Sequence, residues 1–141
     1  MSKFLFGKTC LATCYAVCLL IKSCDLWLYE SQISCYFHNA APDTIYVYSE
    51  FRNDIPFKPS VAHIRGYEVF ELSPDSLFET HLRESVIKPE KTVFSFVVFS
   101  KETYGKYTID EIRENGIMDW GRAYRYEELK KMNMTISYKG K

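Results

Sequence analysis

The strongest constraint on the fold is the segment at residues 92–100 (TVFSFVVFS), the most hydrophobic stretch after the N-terminal region. Phenylalanine and valine occupy both odd and even positions, so a strand here is apolar on both faces. Such a strand needs neighbours on either side and packing above and below it. The sequence therefore predicts a sheet with this segment at its centre and with Phe96 and Val97 buried on opposite faces.

Two segments nearer the N-terminus alternate with the strand period of two. Residues 33–38 place Ile33, Cys35 and Phe37 on one face, and residues 44–51 repeat the alternation. Between them, residues 39–43 (NAAPD) have the composition of a turn. We therefore expect an antiparallel hairpin with one face in water. A further strand or pair of strands, interrupted at Gly66, is expected within residues 62–73.

Helix signals occur at three places. Residues 73–75 (SPD) supply an N-cap, a proline and an acidic residue before apolar positions at helical spacing, which predicts a helix over residues 77–86. Residues 108–111 (TIDE) form a capping box, with Gly116 as a stop. A short helix is expected to begin at Tyr124 or Tyr126 and to end at Met132, followed by a strand at residues 134–138.

These patterns together predict an α+β fold with a mostly antiparallel, sandwich-like sheet and two or three short helices. The many aromatic residues, 11 tyrosines and 10 phenylalanines, also favour sheet. Residues 32–141 have the length of a single domain.

The N-terminal region has the features of an export signal. Lys3 and Lys8 precede an uncharged run at residues 9–21, which is too short to cross a hydrocarbon core of about 30 Å. The run closes on Ile21-Lys22-Ser23-Cys24, which resembles the lipobox of bacterial lipoproteins, although Lys22 departs from the usual small or apolar residue. The resemblance implies a signal peptide over residues 1–23, diacylglyceryl attachment at Cys24 and a tether over residues 24–31. An uncleaved anchor and plain secretion are the alternatives.

The cysteines fit this interpretation. Three of the five, Cys10, Cys14 and Cys18, lie within the apolar run and share one helical face. If Cys24 carries the lipid, Cys35 is the remaining thiol and an internal disulfide cannot form. The sequence holds no CxxC pair and no cluster of cysteine and histidine, so we expect neither a structural metal nor another cofactor.

Charge and motifs indicate no reaction and no nucleic-acid partner. The chain has no basic block and a formal net charge of +0. His38, His63 and His81 have no metal-ligand spacing, and a GxSxG elbow and a glycine-rich phosphate loop are both missing from the sequence. A Ser/His/Asp set can be assembled on paper but has no motif behind it. We expect no catalytic residues and predict that the protein is not an enzyme.

Three tyrosines are candidates for a binding surface. In the expected hairpin, Tyr46 and Tyr48 share the polar face of one strand and Tyr36 lies on its neighbour. Such a cluster either stabilises the sheet through cross-strand pairs or forms a stacking platform for a sugar or a protein. The triplets at 43–45 (DTI) and 75–77 (DSL) resemble the acceptors of periplasmic O-glycosylation, with Thr44 and Ser76 as the modified residues.

Scattered motifs across residues 43–139 resemble a group of small lipoproteins of gut anaerobic bacteria. The motifs are TIYVYSEF, VFSFVVFSKETYGKYTIDEIREN and YEELKKMNMTISY. Because that group has no established activity, the resemblance implies a location and no reaction. We expect a protein anchored by lipid in the bacterial envelope, in the outer membrane at its periplasmic or surface face, that acts as a binding or accessory module for a protein or glycan. The alternatives are an immunity or inhibitor protein and, less favoured, a lipid-anchored enzyme.

Overall fold

The computed structural model describes residues 31–53 and 56–140, so the predicted signal peptide, Cys24 and the predicted tether up to residue 30 lie outside the described residues. The described chain contains seven strands: β1 (Gln32–Asn39), β2 (Ile45–Arg52), β3 (Val69–Leu72), β4 (Leu77–Arg83), β5 (Val93–Ser100), β6 (Trp120–Arg125) and β7 (Thr135–Tyr138). It also contains three short helices: α1 (Lys101–Lys106), α2 (Ile109–Asn115) and α3 (Tyr126–Lys131).

The strands form two sheets, which confirms the predicted α+β class and its mostly antiparallel, sandwich-like arrangement. One sheet has the order β4-β1-β7 and the other the order β3-β2-β5-β6. Every pairing is antiparallel except that of β1 with β7. No helix in the described part of the chain is both long and apolar enough to cross a membrane.

The central strand is β5, as the sequence predicts. It pairs with β2 on one side and with β6 on the other, and it is buried on both faces. Phe96 belongs to the core between the two sheets, together with Phe37 of β1. Val97 belongs to a second core on the other face, where Ile112 of α2 and Ile64 of the preceding loop cover the sheet. The molecule therefore has three layers: the two sheets, and a layer of α1, α2 and loops on the outer face of the four-stranded sheet. Helix α3 instead contributes Leu129 to the core between the sheets.

The predicted hairpin is wrong, because β1 and β2 lie in different sheets. The buried side chain of Asn39 bends the chain between them. Its Nδ2 donates to the carbonyl oxygens of Asp43, Leu72 and Ser73 at 2.9, 3.0 and 3.1 Å, and its Oδ1 accepts from the Ala41 amide at 3.1 Å. These bonds satisfy the backbone where the chain crosses between sheets, so β2 can leave the first sheet without orphaned polar groups.

The helix predicted over residues 77–86 is also wrong, because this segment forms β4, which pairs with β1 along its whole length, and then a 3₁₀ turn at Glu84–Val86. Phe78, Thr80 and Leu82 point toward the interior and alternate with exposed residues. The segment therefore has the strand period of two, although its apolar residues also fit a helical spacing. Asp75, expected in the first helical turn, has a φ of 57° and donates its amide to the Asn39 carbonyl oxygen. Pairing with β1 overrides the local helix signal.

The C-terminal elements agree better with the sequence. Thr108 and Glu111 form the predicted capping box of α2, and Gly116 ends that helix with a φ of 63°. Helix α3 and strand β7 are confirmed within a residue or two. Helix α1 and strand β6 were not predicted. Of residues 62–73, Val69–Leu72 alone is a strand, preceded by a 3₁₀ turn at Gly66–Glu68.

Candidate functional site

The best candidate for a binding site is a groove of ≈ 1050 Å³ beside the second half of β2. Residues 48–52 form its floor, β4 contributes residues 78–81, and the loop at residues 62–68 forms the opposite wall. The groove thus lies where the edges of the two sheets and a covering loop meet. We call it the β2 groove.

The groove exists because β3 is shorter than β2. Strand β3 pairs with residues 45–48 of β2, whereas β5 pairs with residues 45–52. Among the described residues, the half of β2 at 49–52 therefore has a strand neighbour on one side. In an antiparallel ladder alternate residues direct both N–H and C=O to the same side. Two of these four residues consequently direct their backbone groups toward the open edge.

Aromatic side chains line the inner part of the β2 groove. Phe51 and Phe70 are 39% and 44% exposed, and the ring of Phe70 lies 4.6 Å from that of Phe78 on β4. Tyr67, which also lines the groove, is 73% exposed. Grouped exposed rings of this kind are typical of docking surfaces rather than of an inert face.

Glu50 is the most unusual polar residue of the groove. Its side chain is 8% exposed, and its Oε1 accepts from Arg52 Nε at 2.6 Å. The other oxygen, Oε2, is buried, and no described residue donates to it. A buried charged group with an unmatched oxygen is costly, because the lost contact with water is not replaced. The neighbouring Tyr48 hydroxyl has its pKa raised by burial first and by the Glu50 carboxylate second.

The loop that forms the outer wall is held by two arginines. Arg113 of α2 donates from Nη2 to the Ile64 carbonyl oxygen at 3.1 Å and contacts Asp110 at 3.1 Å through Nη1. Arg65 donates to the Tyr67 hydroxyl at 2.6 Å. The Arg113 bond to Ile64 joins the wall to α2, whereas the Arg65 bond lies within the wall.

The predicted tyrosine surface does not assemble. Tyr36 lies on the outer side of the three-stranded sheet, whereas Tyr46 and Tyr48 belong to the other sheet. Tyr48 is buried, and Tyr46 stacks on Tyr104 at 4.4 Å and donates to Glu71 at 3.0 Å. The prediction of a common platform is wrong because it depended on the hairpin, and the ring of Tyr46 is already stacked on Tyr104.

Thr44 and Ser76, the predicted glycosylation sites, lie half-buried just before β2 and β4. The Ser76 hydroxyl donates to the Ser73 carbonyl oxygen. Their modification stays a prediction.

One Ser/His/Asp cluster does form, on paired strands. Ser137 Oγ lies 3.5 Å from His38 Nδ1, and His38 Nε2 lies 2.9 Å from Asp75 Oδ1. The carboxylate is 93% exposed, whereas a catalytic aspartate orients its imidazole from a buried position. We therefore assign the cluster a structural role: it joins β1, β7 and the turn before β4. The other two histidines, His63 and His81, line the β2 groove.

Cys35 is buried at the centre of the sandwich, and desolvation raises the pKa of its thiol to about 12. It is therefore an inert core residue. Within residues 31–53 and 56–140, no three histidine, cysteine or acidic residues are grouped to hold a metal ion.

No known protein family, curated protein or solved structure matches the chain. Sequence reasoning did not identify the β2 groove. Glu50 alternates with Val47 and Phe51 in the sequence, which predicts a position on the wet face of the strand, and nothing in its sequence context signals an unmatched oxygen. The groove also depends on β3 ending early, which is a tertiary property.

Proposed function

We propose that the protein is a binding module anchored by lipid at Cys24 in the bacterial envelope, and that it holds a partner in the β2 groove. The observation that carries the binding role is the groove: an open sheet edge, exposed aromatic rings and a buried carboxylate occur together there. Binding sites typically combine apolar walls with a few fixed polar groups. The anchor rests on the lipobox resemblance and keeps such a module at the membrane surface.

The anchor is tested by labelling with a radioactive fatty acid in cells that produce the full chain. We expect label in the wild-type protein and in a Cys35→Ala control, because the Cys35 thiol is buried. The Cys24→Ala protein should carry no label and should leave the membrane fraction or accumulate as a precursor. Label in Cys24→Ala would assign the lipid elsewhere.

The binding role is tested by placing a photo-crosslinking amino acid at position 67 in the groove. Position 132 is the control, because Met132 is also exposed but does not line the groove. In cells of the producing bacterium, illumination should give a discrete adduct from position 67 and none from position 132. Equal adducts from both positions, or none from either, would contradict a partner in the groove. If the adduct contains a toxin, the partner supports the immunity or inhibitor form of this function.

A further inference from the structure

We propose that the partner of the β2 groove is an extended peptide segment that adds as a strand to residues 49–52 and places a lysine or arginine opposite Glu50. This inference rests on the proposed function and names the chemistry of its ligand. Two independent features support it: the open half of β2 and the unmatched oxygen of Glu50. Strand addition of this kind gives affinity through main-chain hydrogen bonds and specificity through alternate side chains.

The open edge determines the backbone part of the complex. Two alternate residues within 49–52 present N–H and C=O groups on the side away from β5. A peptide strand laid there would continue the four-stranded sheet past the end of β3. Edge groups of this kind are a template for a further strand unless side chains or covering elements block it. The groove leaves space beside them.

Glu50 determines which side chain faces it. A residue directly opposite Glu50 in the added strand points to the same face, with its Cβ about 4.5–5.5 Å away. A lysine or arginine in that position can donate to Oε2, which no described residue matches. Because the Arg52 side chain is 39% exposed, its guanidinium can turn into solvent and admit the ligand cation. Arg65 and Arg113 are already bound to Tyr67 and to the Ile64 carbonyl oxygen.

The aromatic wall determines the neighbours of the basic residue. Residues on either side of it in the added strand point to the opposite face, where Phe51, Phe70 and Phe78 line the groove. These rings favour apolar side chains, since each contact removes apolar surface from water. The expected recognition pattern is therefore apolar–basic–apolar in an extended segment.

The test is selection of seven-residue random peptides, displayed on phage, by the full chain purified from membranes in detergent. We expect the selected peptides to share the apolar–basic–apolar pattern. A synthetic copy of the best peptide should bind Glu50→Gln at least about tenfold more weakly than wild type, because a charged hydrogen bond is lost. The matched control is Glu102→Gln, which removes an exposed carboxylate of α1 that does not line the groove and should leave binding unchanged.

Folding and alternative occupants are controlled separately. Glu50→Gln keeps the side-chain volume, and equal thermal midpoints would show that it folds. Methylating the peptide amides that bond β2 should abolish binding. Selected peptides without a basic residue, or unchanged affinity for Glu50→Gln, would overturn the inference but leave a groove-binding function standing. Equal competition by lysine methyl ester would indicate a small cation site, and a concentration-dependent dimer joined at residues 49–52 would indicate a second copy. Either result overturns the peptide proposal.

Discussion

Replacing Phe96 with alanine is expected to lower the free energy of unfolding by about 3–5 kcal/mol. Phe96 is 1% exposed and lies on the central strand β5. Its ring stacks on Phe37 of the opposite sheet at 5.5 Å and meets the edge of Tyr124 at 6.3 Å. Removing it opens a cavity between two sheets that are fixed by their own ladders. The loss is a large part of the 5–15 kcal/mol that typically stabilises a domain.

The assay is unfolding of residues 25–141 in urea, with circular dichroism as the signal that monitors unfolding. Phe51→Ala is the matched control, because Phe51 faces the same space between the sheets but is 39% exposed, and its loss should cost about 1 kcal/mol. If Phe96→Ala does not fold, Phe96→Leu leaves a smaller cavity and should unfold at an intermediate urea concentration. Equal costs for Phe96→Ala and Phe51→Ala would refute the central position of Phe96.

Three further outcomes follow from buried and crowded positions. The pKa of the Cys35 thiol rises from 9.0 in the unfolded chain to about 12 in the fold, because burial favours the neutral thiol. The contribution of Cys35 to the free energy of unfolding is therefore complete below pH 9 and is lost as the pH rises toward 12. The difference in unfolding free energy between wild type and Cys35→Ala should therefore narrow over that range, and a constant difference would contradict the burial. Residues 25–141 should melt at the same temperature with and without reductant, because Cys35 is their one cysteine; a large drop would reveal an intermolecular disulfide. Gly121→Ala should cost about 1–3 kcal/mol, because its Cβ would lie 2.7 Å from Pro59 Cβ, whereas Gly105→Ala in α1 meets nothing within 4 Å and should stabilise by about 0.5–1 kcal/mol. Equal unfolding midpoints for the two glycine variants would contradict the close packing at Gly121.

The sequence predicted an element correctly where its own apolar pattern or its own helix cap determined the structure. The double-sided apolar run predicted β5, and the TIDE box with Gly116 predicted α2. Both depend on interactions within a few residues of the sequence or on burial of a whole segment. The fold class followed from these elements.

The remaining elements were decided by contacts distant in sequence. Residues 77–83 carry helical and strand spacings together, and pairing with β1 selects the strand. The position of β2 in the four-stranded sheet, and not beside β1, depends on Asn39. The side chain of Asn39 donates to carbonyl oxygens 33 and 34 residues away. An asparagine in a turn does not reveal those partners. The β2 groove was therefore not predictable from the local pattern, since it requires that β1 and β2 lie in different sheets and that β3 ends before β2 does.

Backbone hydrogen exchange at residues 49–52 tests the central claim most directly. In the full chain, exchange is measured with and without the selected apolar–basic–apolar peptide. Two alternate amides of this segment should exchange more slowly when the peptide is bound, whereas residues 45–48, already bordered by β3 and β5, should be unchanged. Unchanged exchange at residues 49–52 with the peptide bound, or new protection on the outer side of β1 around Tyr36 instead, would contradict binding at the β2 groove.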